Sequence, residues 1–143
     1  MRVTIITDAS WCPDQKVGAF ASWIRFEDNQ LVQYCTAFKK KARSATEAEY
    51  WAVVNSIVIA QKKAKKPLRY LLIQTDCQAV IDEFKGRGAH IQRLLATLGA
   101  GLKIEFRHVK GHTKKEGFTG ARFYCNRWCH AMAIKKMRTL RAG

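Results

Sequence analysis

Two short apolar runs in this chain each end at an aspartate. The runs cover residues 3–7 and 70–75, and both are rich in residues typical of β-strands. Asp8 and Asp76 follow them directly, and Glu49 lies near the start of a stretch with helical periodicity. Two carboxylates at strand ends and one on a helix suit a site for hard divalent cations. Because crowded carboxylates repel one another, such a cluster usually needs a metal ion to hold it.

The size and composition of the chain indicate one ordinary folded domain. It has 143 residues, of which 48% are hydrophobic, enough to form a real core. No run of about 18 apolar residues occurs, so we expect no membrane span. The N-terminus enters a strand pattern at once and lacks the layout of a signal peptide, which favours a cytoplasmic protein. The five cysteines are odd in number, and free thiols in a reducing compartment are expected.

The charge of the chain points to a polyanion as partner. Its formal net charge is +15, from 26 Lys and Arg against 11 Asp and Glu. Several basic runs beside acids that look buried favour nucleic acid over a membrane surface. The runs are Lys39–Lys41 with Arg43, Lys62–Lys63, Lys65–Lys66, Lys114–Lys115 and the group Lys135, Lys136, Arg138 and Arg141.

Hydrophobic periodicity predicts an α/β fold. Three strands joined by turns come first, at 3–7, 18–26 and 31–38, with turns at 11–15 and 27–30. They are followed by a helix at 46–63, a strand at 70–75, helices at 78–84 and 91–98, a strand at 102–109, a loop at 111–124 and a helix at 126–140. This order predicts a five-stranded mixed sheet, with three antiparallel meander strands, then parallel β-α-β strands, and helices on both faces.

Five short motifs, in order along the chain, resemble those of type 1 ribonuclease H, in the ribonuclease H-like nuclease superfamily. The motifs are Thr7-Asp8-Ala9-Ser10, Ala48-Glu49-Tyr50, Thr75-Asp76-Cys77-Gln78, His108-Val109-Lys110-Gly111-His112 and the segment Asn126–Ala133. Each motif alone is weak, but five in register on the appropriate elements are a strong signal. The resemblance covers nearly the whole chain and implies the ribonuclease H-like fold in one domain, 1–143.

The resemblance also implies an activity and a site. The family hydrolyses the RNA strand of RNA/DNA hybrids with two Mg²⁺ ions. Carried across, Asp8 bridges both ions, while Glu49 and Asp76 hold the ion on the leaving-group side. Position 130 holds the ion that activates water, and His112 assists proton transfer or product release. Contacts to nucleic acid are assigned to Ser10, Gln78, Lys39, Lys40, Lys110, Lys114 and Lys115.

Two positions depart from the family pattern. The fourth metal position is Asp in the ribonucleases and His130 here; some Holliday-junction resolvases of the superfamily carry His there. Imidazole suits Mn²⁺ better than Mg²⁺, so we expect two divalent cations, Mg²⁺ or Mn²⁺, with Mn²⁺ preferred. Because ligation needs a neutral imidazole, metal binding should weaken below about pH 6.5. The family's Thr-Asn-Asn before the catalytic Glu is Ser44-Ala45-Thr46 here, which loses contacts to the minor groove of the hybrid.

These departures leave three functions open. The first is an endoribonuclease acting on RNA/DNA hybrids, the second a structure-selective DNA endonuclease, and the third a non-catalytic nucleic-acid-binding module. The intact set of Asp8, Glu49 and Asp76 argues against the third, since retaining crowded acids without metal is costly. The length of the chain favours a stand-alone, monomeric ribonuclease H over the longer, dimeric resolvases.

Two local alternatives also stay open on the residues alone. Glu47 competes with Glu49, because residues two apart lie on different faces of a helix. Family position favours Glu49, and Glu47 then complements the helix dipole in the first turn. A structural zinc site could use His108 and His112 with Cys125 and Cys129, although a strand does not turn the two histidines to one side.

Overall fold

The computed structural model describes residues 1–86, 88–99, 101–109 and 121–142, without some side chains at 90, 121–124, 126, 141 and 142. The elements follow the predicted order of strands and helices. They are β1 Arg2–Cys12, β2 Val17–Phe26, β3 Leu31–Ala37, α1 Ala45–Lys63, β4 Tyr70–Thr75, α2 Gln78–Gly86, α3 Ala89–Leu98, β5 Lys103–His108 and α4 Ala121–Ala142.

The strands form one mixed sheet in the order β3-β2-β1-β4-β5. β1 pairs antiparallel with β2, and β2 with β3, which makes the predicted meander. β1 pairs parallel with β4, and β4 with β5, through the helical crossovers. The predicted mixed five-stranded sheet is therefore confirmed, and β1 lies at its centre.

Helices cover both faces of the sheet, because the side chains of β1 alternate. Ile5 is buried in a core with residues of α1, α2 and α3, such as Val53. Ile6, its neighbour, is buried in a second core with Cys129 of α4. This two-residue alternation places Asp8 on the same face as Ile6, the face that α4 covers.

β1 extends beyond its predicted end, and Asp8 lies inside the strand rather than after it. The prediction placed a turn at 11–15, but antiparallel pairing with β2 continues to Cys12, opposite Val17. The chain then reverses within four residues, with Lys16 at a φ of 55°. Pairing between two strands is a non-local effect, so local turn residues such as Pro13 marked the wrong end of the strand.

α4 begins at Ala121, five residues before its predicted start. The predicted loop at 111–124 was too long at its C-terminal end. The polar, glycine-containing composition that indicates a loop applies to 111–120 and not to 121–124. Those four residues contain neither Gly nor Pro and continue the helix. Apart from the end of β1 and the start of α4, every element boundary lies within two residues of its predicted position. Residues 110–120 lie outside the described part of the chain.

Two expectations from composition concern cysteines and membranes. All five cysteines are free thiols, as predicted. Among the residues that the structure describes, no helix is both long and apolar enough to cross a bilayer.

Candidate metal centre

The first part of the site arises where β1 and β4 separate. Their parallel pairing ends with Ile6 opposite Gln74, and Asp8 and Asp76 each lie two residues further along. β4 stops at Thr75, whereas β1 continues because it still pairs with β2, with Asp8 opposite Ala21. The two aspartates therefore meet at the carboxyl end of adjacent parallel strands, the edge where α/β sheets commonly bind ligands.

The start of α1 decides which of its two glutamates joins the aspartates. Ser44 caps the helix, and its hydroxyl accepts a hydrogen bond from the backbone N–H of Glu47 at 3.1 Å. The Glu47 carboxylate pairs with exposed Arg43 at 2.8 Å. Glu49 turns toward the sheet, where its Oε1 accepts a hydrogen bond from the backbone N–H of Ala9 at 3.1 Å. The glutamate beside the aspartates is thus Glu49.

Asp8, Glu49 and Asp76 form a compact cluster of carboxylates. One ligand oxygen from each lies within 4.8 Å of the other two, and in the described ranges no other set of three or more His, Cys, Asp or Glu side chains meets this condition. Asp8 is only 2% exposed. The Oε2 atom of Glu49 is buried and accepts no hydrogen bond from the described residues. Such an unpaired buried oxygen is costly, so this all-oxygen donor set fits a hard divalent cation.

The electrostatics of the cluster also favour a cation. Burial, followed by the negative charges of Asp8 and Asp76, raises the pKa of Glu49 far above its ordinary value. The hydrogen bond from Ala9 opposes this shift but does not cancel it. Full ionisation of the three acids is therefore unfavourable without a positive charge among them.

His130 of α4 contacts the cluster through Asp8, whose side chain lies on the face of the sheet that α4 covers. Its Nδ1 lies 2.8 Å from Oδ2 of Asp8, and about a third of its side chain is exposed. The hydrogen bond to Asp8 raises the pKa of His130, with burial opposing the shift. Asp8 therefore lies between two groups of donors: Glu49 and Asp76 in the carboxylate cluster, and His130 on α4.

Sequence reasoning missed two of these contacts. The bond between Asp8 and His130 joins residues 122 positions apart, and the bond from Ala9 to Glu49 joins residues 40 apart. Neither leaves a local sequence signal, because each depends on how α4 or α1 packs on the sheet. Motif order brought Asp8 and His130 into one site without predicting their direct hydrogen bond.

The predicted nucleic-acid contacts lie at several places. Ser10 is partly buried in β1, and Gln78 is exposed on α2, where its amide donates to Asp82 at 3.0 Å. Lys39 and Lys40 are exposed between β3 and α1. The four remaining predicted site residues lie outside the described part of the chain: Lys110, His112, Lys114 and Lys115.

The zinc alternative gains no support from the residues that the structure describes. Cys129 is buried and its thiol donates to the carbonyl of Ile6, while Cys125 packs in the same apolar core. Nε2 of His108 contacts the backbone carbonyl of Asp76 at 3.2 Å. Cys125, Cys129 and His108 thus each contact other parts of the fold and do not form a shared ligand cluster.

Sequence comparison gives the family. A family model described as reverse transcriptase-like matches residues 6–116, which include Asp8, Glu49 and Asp76. The chain belongs to the reverse transcriptase-like family. No curated protein matches the sequence. The match ends before α4, so His130 lies outside it.

Several solved structures share the fold of this chain at low sequence identity. Ribonuclease H1 from the halophilic archaeon Halobacterium salinarum is 16% identical with a TM-score of 0.69, over 97% of this chain and 99% of that one. The N-terminal ribonuclease H domain of Rv2228c from Mycobacterium tuberculosis, a fusion with maltose-binding protein, is 14% identical with a TM-score of 0.68, over 96% and 94%. LC11-RNase H1 from compost, solved with an RNA/DNA hybrid, is 11% identical with a TM-score of 0.67, over 96% and 98%. The predicted ribonuclease H-like fold and the resemblance to type 1 ribonuclease H are confirmed.

Proposed function

We propose that this chain is a metal-dependent endonuclease that hydrolyses the RNA strand of RNA/DNA hybrids. The observation that carries the proposal is the position of Asp8, buried between Glu49 and Asp76 on one side and His130 on the other. The hybrid bound to LC11-RNase H1, which shares the fold, supports the choice of substrate.

The residues at the site could hold two cations, with Asp8 contributing to both. Asp8, Glu49 and Asp76 would hold one ion, and Asp8 with His130 would hold the other. When bound, the two ions supply an activated water and stabilise the leaving oxygen. To hold a cation together, Asp8 and His130 would have to give up the hydrogen bond that joins them at 2.8 Å. His130 must then be neutral, since a protonated imidazole has no lone pair to offer.

The protein fixes its donors in place before any cation binds. Asp8 lies in a strand that is paired with β2 on both sides of it along the chain, so its backbone is held. The backbone N–H of Ala9 holds Oε1 of Glu49 and leaves Oε2 as the unpaired donor. From the resemblance, we assign His112 to proton transfer or product release.

The basic surface is proposed to bind the substrate backbone. A net charge of +15 attracts phosphates, and such contacts weaken as salt rises. We assign this contact to Lys39 and Lys40, which are exposed, and to Lys110, Lys114 and Lys115 on the basis of sequence alone. We also propose that the protein is a monomer located in the cytoplasm.

The test is a cleavage assay with four substrates. An end-labelled RNA/DNA hybrid of about 20 base pairs, roughly two turns, is compared with duplex DNA, duplex RNA and a branched DNA. We expect internal cuts in the RNA strand of the hybrid, with Mn²⁺ or Mg²⁺ and not with EDTA. An intact RNA strand under both metals would contradict the proposal.

A second candidate is a structure-selective DNA endonuclease, for which two observations speak. His130 replaces the acid of the ribonucleases, and Ala45 and Thr46 stand where the family carries asparagines. Ser44, the first residue of that segment, caps α1. Cleavage of the branched DNA with an intact hybrid would select this candidate. Binding of nucleic acid without cleavage of any substrate would select the non-catalytic module.

Replacing His130 by Asp is expected to change the preferred metal. The substitution replaces a borderline nitrogen donor by an oxygen donor, and Mg²⁺ strongly prefers oxygen. The ratio of the cleavage rate in Mg²⁺ to that in Mn²⁺ should rise by about tenfold or more. His130→Ala, which removes the donor, serves as the control and should be slow with both metals. An unchanged ratio in His130→Asp would argue against ligation by His130.

Metal binding is expected to depend on pH through His130 and Glu49. Both have raised pKa values, so protons compete with the cation below those values. The Mn²⁺ concentration for half-maximal activity should therefore rise as the pH falls, by about tenfold per unit for each competing proton. For His130 this loss begins above pH 6.5, its ordinary pKa. In His130→Asp the slope should be lower by about one proton between pH 6 and 8; equal slopes would contradict this assignment.

A further inference from the structure

A shallow groove runs along the outer side of α4, starting at His130. It has a volume of about 650 Å³ and is lined by His130, Ala131, Ile134, Lys135, Arg138 and Thr139. Residues three and four apart share one side of a helix, which is why this set forms a continuous surface. Since His130 also contacts Asp8, the groove opens at the candidate metal centre.

We propose that this groove binds the phosphodiester backbone of the nucleic acid held at the metal centre, with Lys135 and Arg138 contacting its phosphates. The proposal deepens the proposed function and rests on it for the position of the cleaved bond. It adds Lys135 and Arg138 of α4, which lie outside the five sequence motifs, as substrate-binding residues.

The charge of α4 suits a polyanion. Residues 121–142 contain six Lys or Arg and neither Asp nor Glu. Lys135 and Arg138 are exposed, and within the described part of the chain neither pairs with a carboxylate. Two positively charged side chains in one groove, with no carboxylate paired to them, attract phosphates. Binding of the phosphates by these side chains releases the counterions of the nucleic acid.

The spacing of the groove residues fits a nucleic acid strand. With a rise of about 1.5 Å per residue, Lys135 lies about 7.5 Å and Arg138 about 12 Å from His130 along the helix axis. Duplex DNA rises about 3.4 Å per nucleotide of one strand. A duplex whose axis runs parallel to the groove therefore places phosphates roughly two to four nucleotides from the cleaved bond beside the two side chains. Because Lys135 and Arg138 both lie in the same direction along α4 from His130, they contact the strand on one side of the cleaved bond only.

The surface around the groove favours nucleic acid over a lipid membrane. Membrane-surface sites combine basic residues with exposed large apolar side chains. Among the described residues, the exposed large hydrophobics are Leu31 and Tyr34, both on β3 rather than on α4. The described side chains of α4 therefore offer an anionic membrane no large apolar anchor beside the groove.

The chain offers a matched control for the charge. Lys136 adjoins Lys135 in sequence but lies toward β3: burial raises the pKa of Cys35, and the charge of Lys136 opposes that rise. Lys62 is exposed at the far end of α1, about 20 Å along the helix from Glu49. Lys62→Ala/Lys136→Ala removes the same charge as Lys135→Ala/Arg138→Ala and leaves the groove intact.

The first experiment measures binding alone. Both double variants are made in the Asp8→Asn background, and the affinity for a labelled hybrid of about 20 base pairs is measured across a salt series. The groove variant should bind on the order of tenfold more weakly, and the slope of log K against log salt should fall by about 1.8, for two lost phosphate contacts. The control should keep its slope. Equal affinities and slopes in the two variants would overturn the proposal.

The second experiment maps the cuts made by the groove and control variants with Asp8 intact. The wild type should avoid cutting within about four nucleotides of one RNA end, and the groove variant should lose this restriction. Unchanged cut positions in the groove variant would overturn the proposal that the groove binds the substrate backbone, and would leave the proposed nuclease activity unaffected. If no protein cuts the hybrid, the proposed function fails, while the binding experiment still decides the groove. Loss of binding to anionic phospholipid vesicles with unchanged hybrid binding would also overturn it.

Discussion

Replacing Asp8 by asparagine is expected to lower the single-turnover rate of hybrid cleavage by at least about 1000-fold. Asp8 is buried and lies between Glu49 and His130, so it is the one donor shared by both proposed cations. Asparagine keeps the shape and one oxygen but removes the charge that holds a divalent ion. The measurement follows the labelled RNA strand at saturating Mn²⁺ with enzyme in excess.

The control for this experiment is Asp28→Asn. Asp28 lies in the exposed turn between β2 and β3, where its carboxylate accepts a hydrogen bond from the backbone N–H of Gln30. The amide of Asn can still accept that bond, so the fold and the rate should be unchanged. Circular dichroism checks that both variants are folded. An Asp8→Asn rate within about tenfold of wild type would contradict a shared metal ligand.

The second large effect concerns the stability of the metal-free protein. Glu49→Gln is expected to raise its free energy of unfolding by about 1–3 kcal/mol near pH 8. Glu49 has a raised pKa, so its favourable contribution is present below pH 4.5, the ordinary value, and is lost as the pH rises. The variant removes the ionisation and should lose stability less steeply above that pH. Chemical denaturation in EDTA at several pH values measures both quantities.

Adding metal should reverse the order of stability. A cation that binds only the folded protein stabilises it by about 2.7 kcal/mol at a hundredfold excess over its Kd. Wild type should therefore gain stability from Mn²⁺, and Glu49→Gln should gain much less. Glu47→Gln is the matched control, because Glu47 pairs with Arg43 outside the cluster and its variant should respond to Mn²⁺ as wild type does. Equal Mn²⁺ responses in both glutamine variants would argue against Glu49 as a ligand.

The order of elements could be predicted from the sequence because the hydrophobic periodicity changes sharply from one element to the next. The two-residue period ends after β3, and a helical period begins in α1. The extension of β1 past Asp8 could not be found in this way, since it depends on pairing with β2 up to Cys12. Turn residues near Pro13 predicted a loop where cross-strand hydrogen bonds keep the strand extended.

The sequence grouped four residues that the structure brings close together, but it did not predict the contacts between them. Motif order grouped Asp8, Glu49, Asp76 and His130, while residue patterns alone left Glu47 as a rival. The capping of α1 by Ser44 and the pairing of Glu47 with Arg43 decided between the glutamates. These contacts are set by how α1 starts and packs, which periodicity does not specify.

Mn²⁺ binding measured by electron paramagnetic resonance tests the central claim most directly, because it detects the ions at the cluster without any substrate. We expect wild type to bind up to two Mn²⁺ ions whose spins are coupled through Asp8, and Asp8→Asn to lose the coupled signal and most of the affinity. Binding of Mn²⁺ that is the same in wild type and Asp8→Asn, or no binding to either, would contradict it.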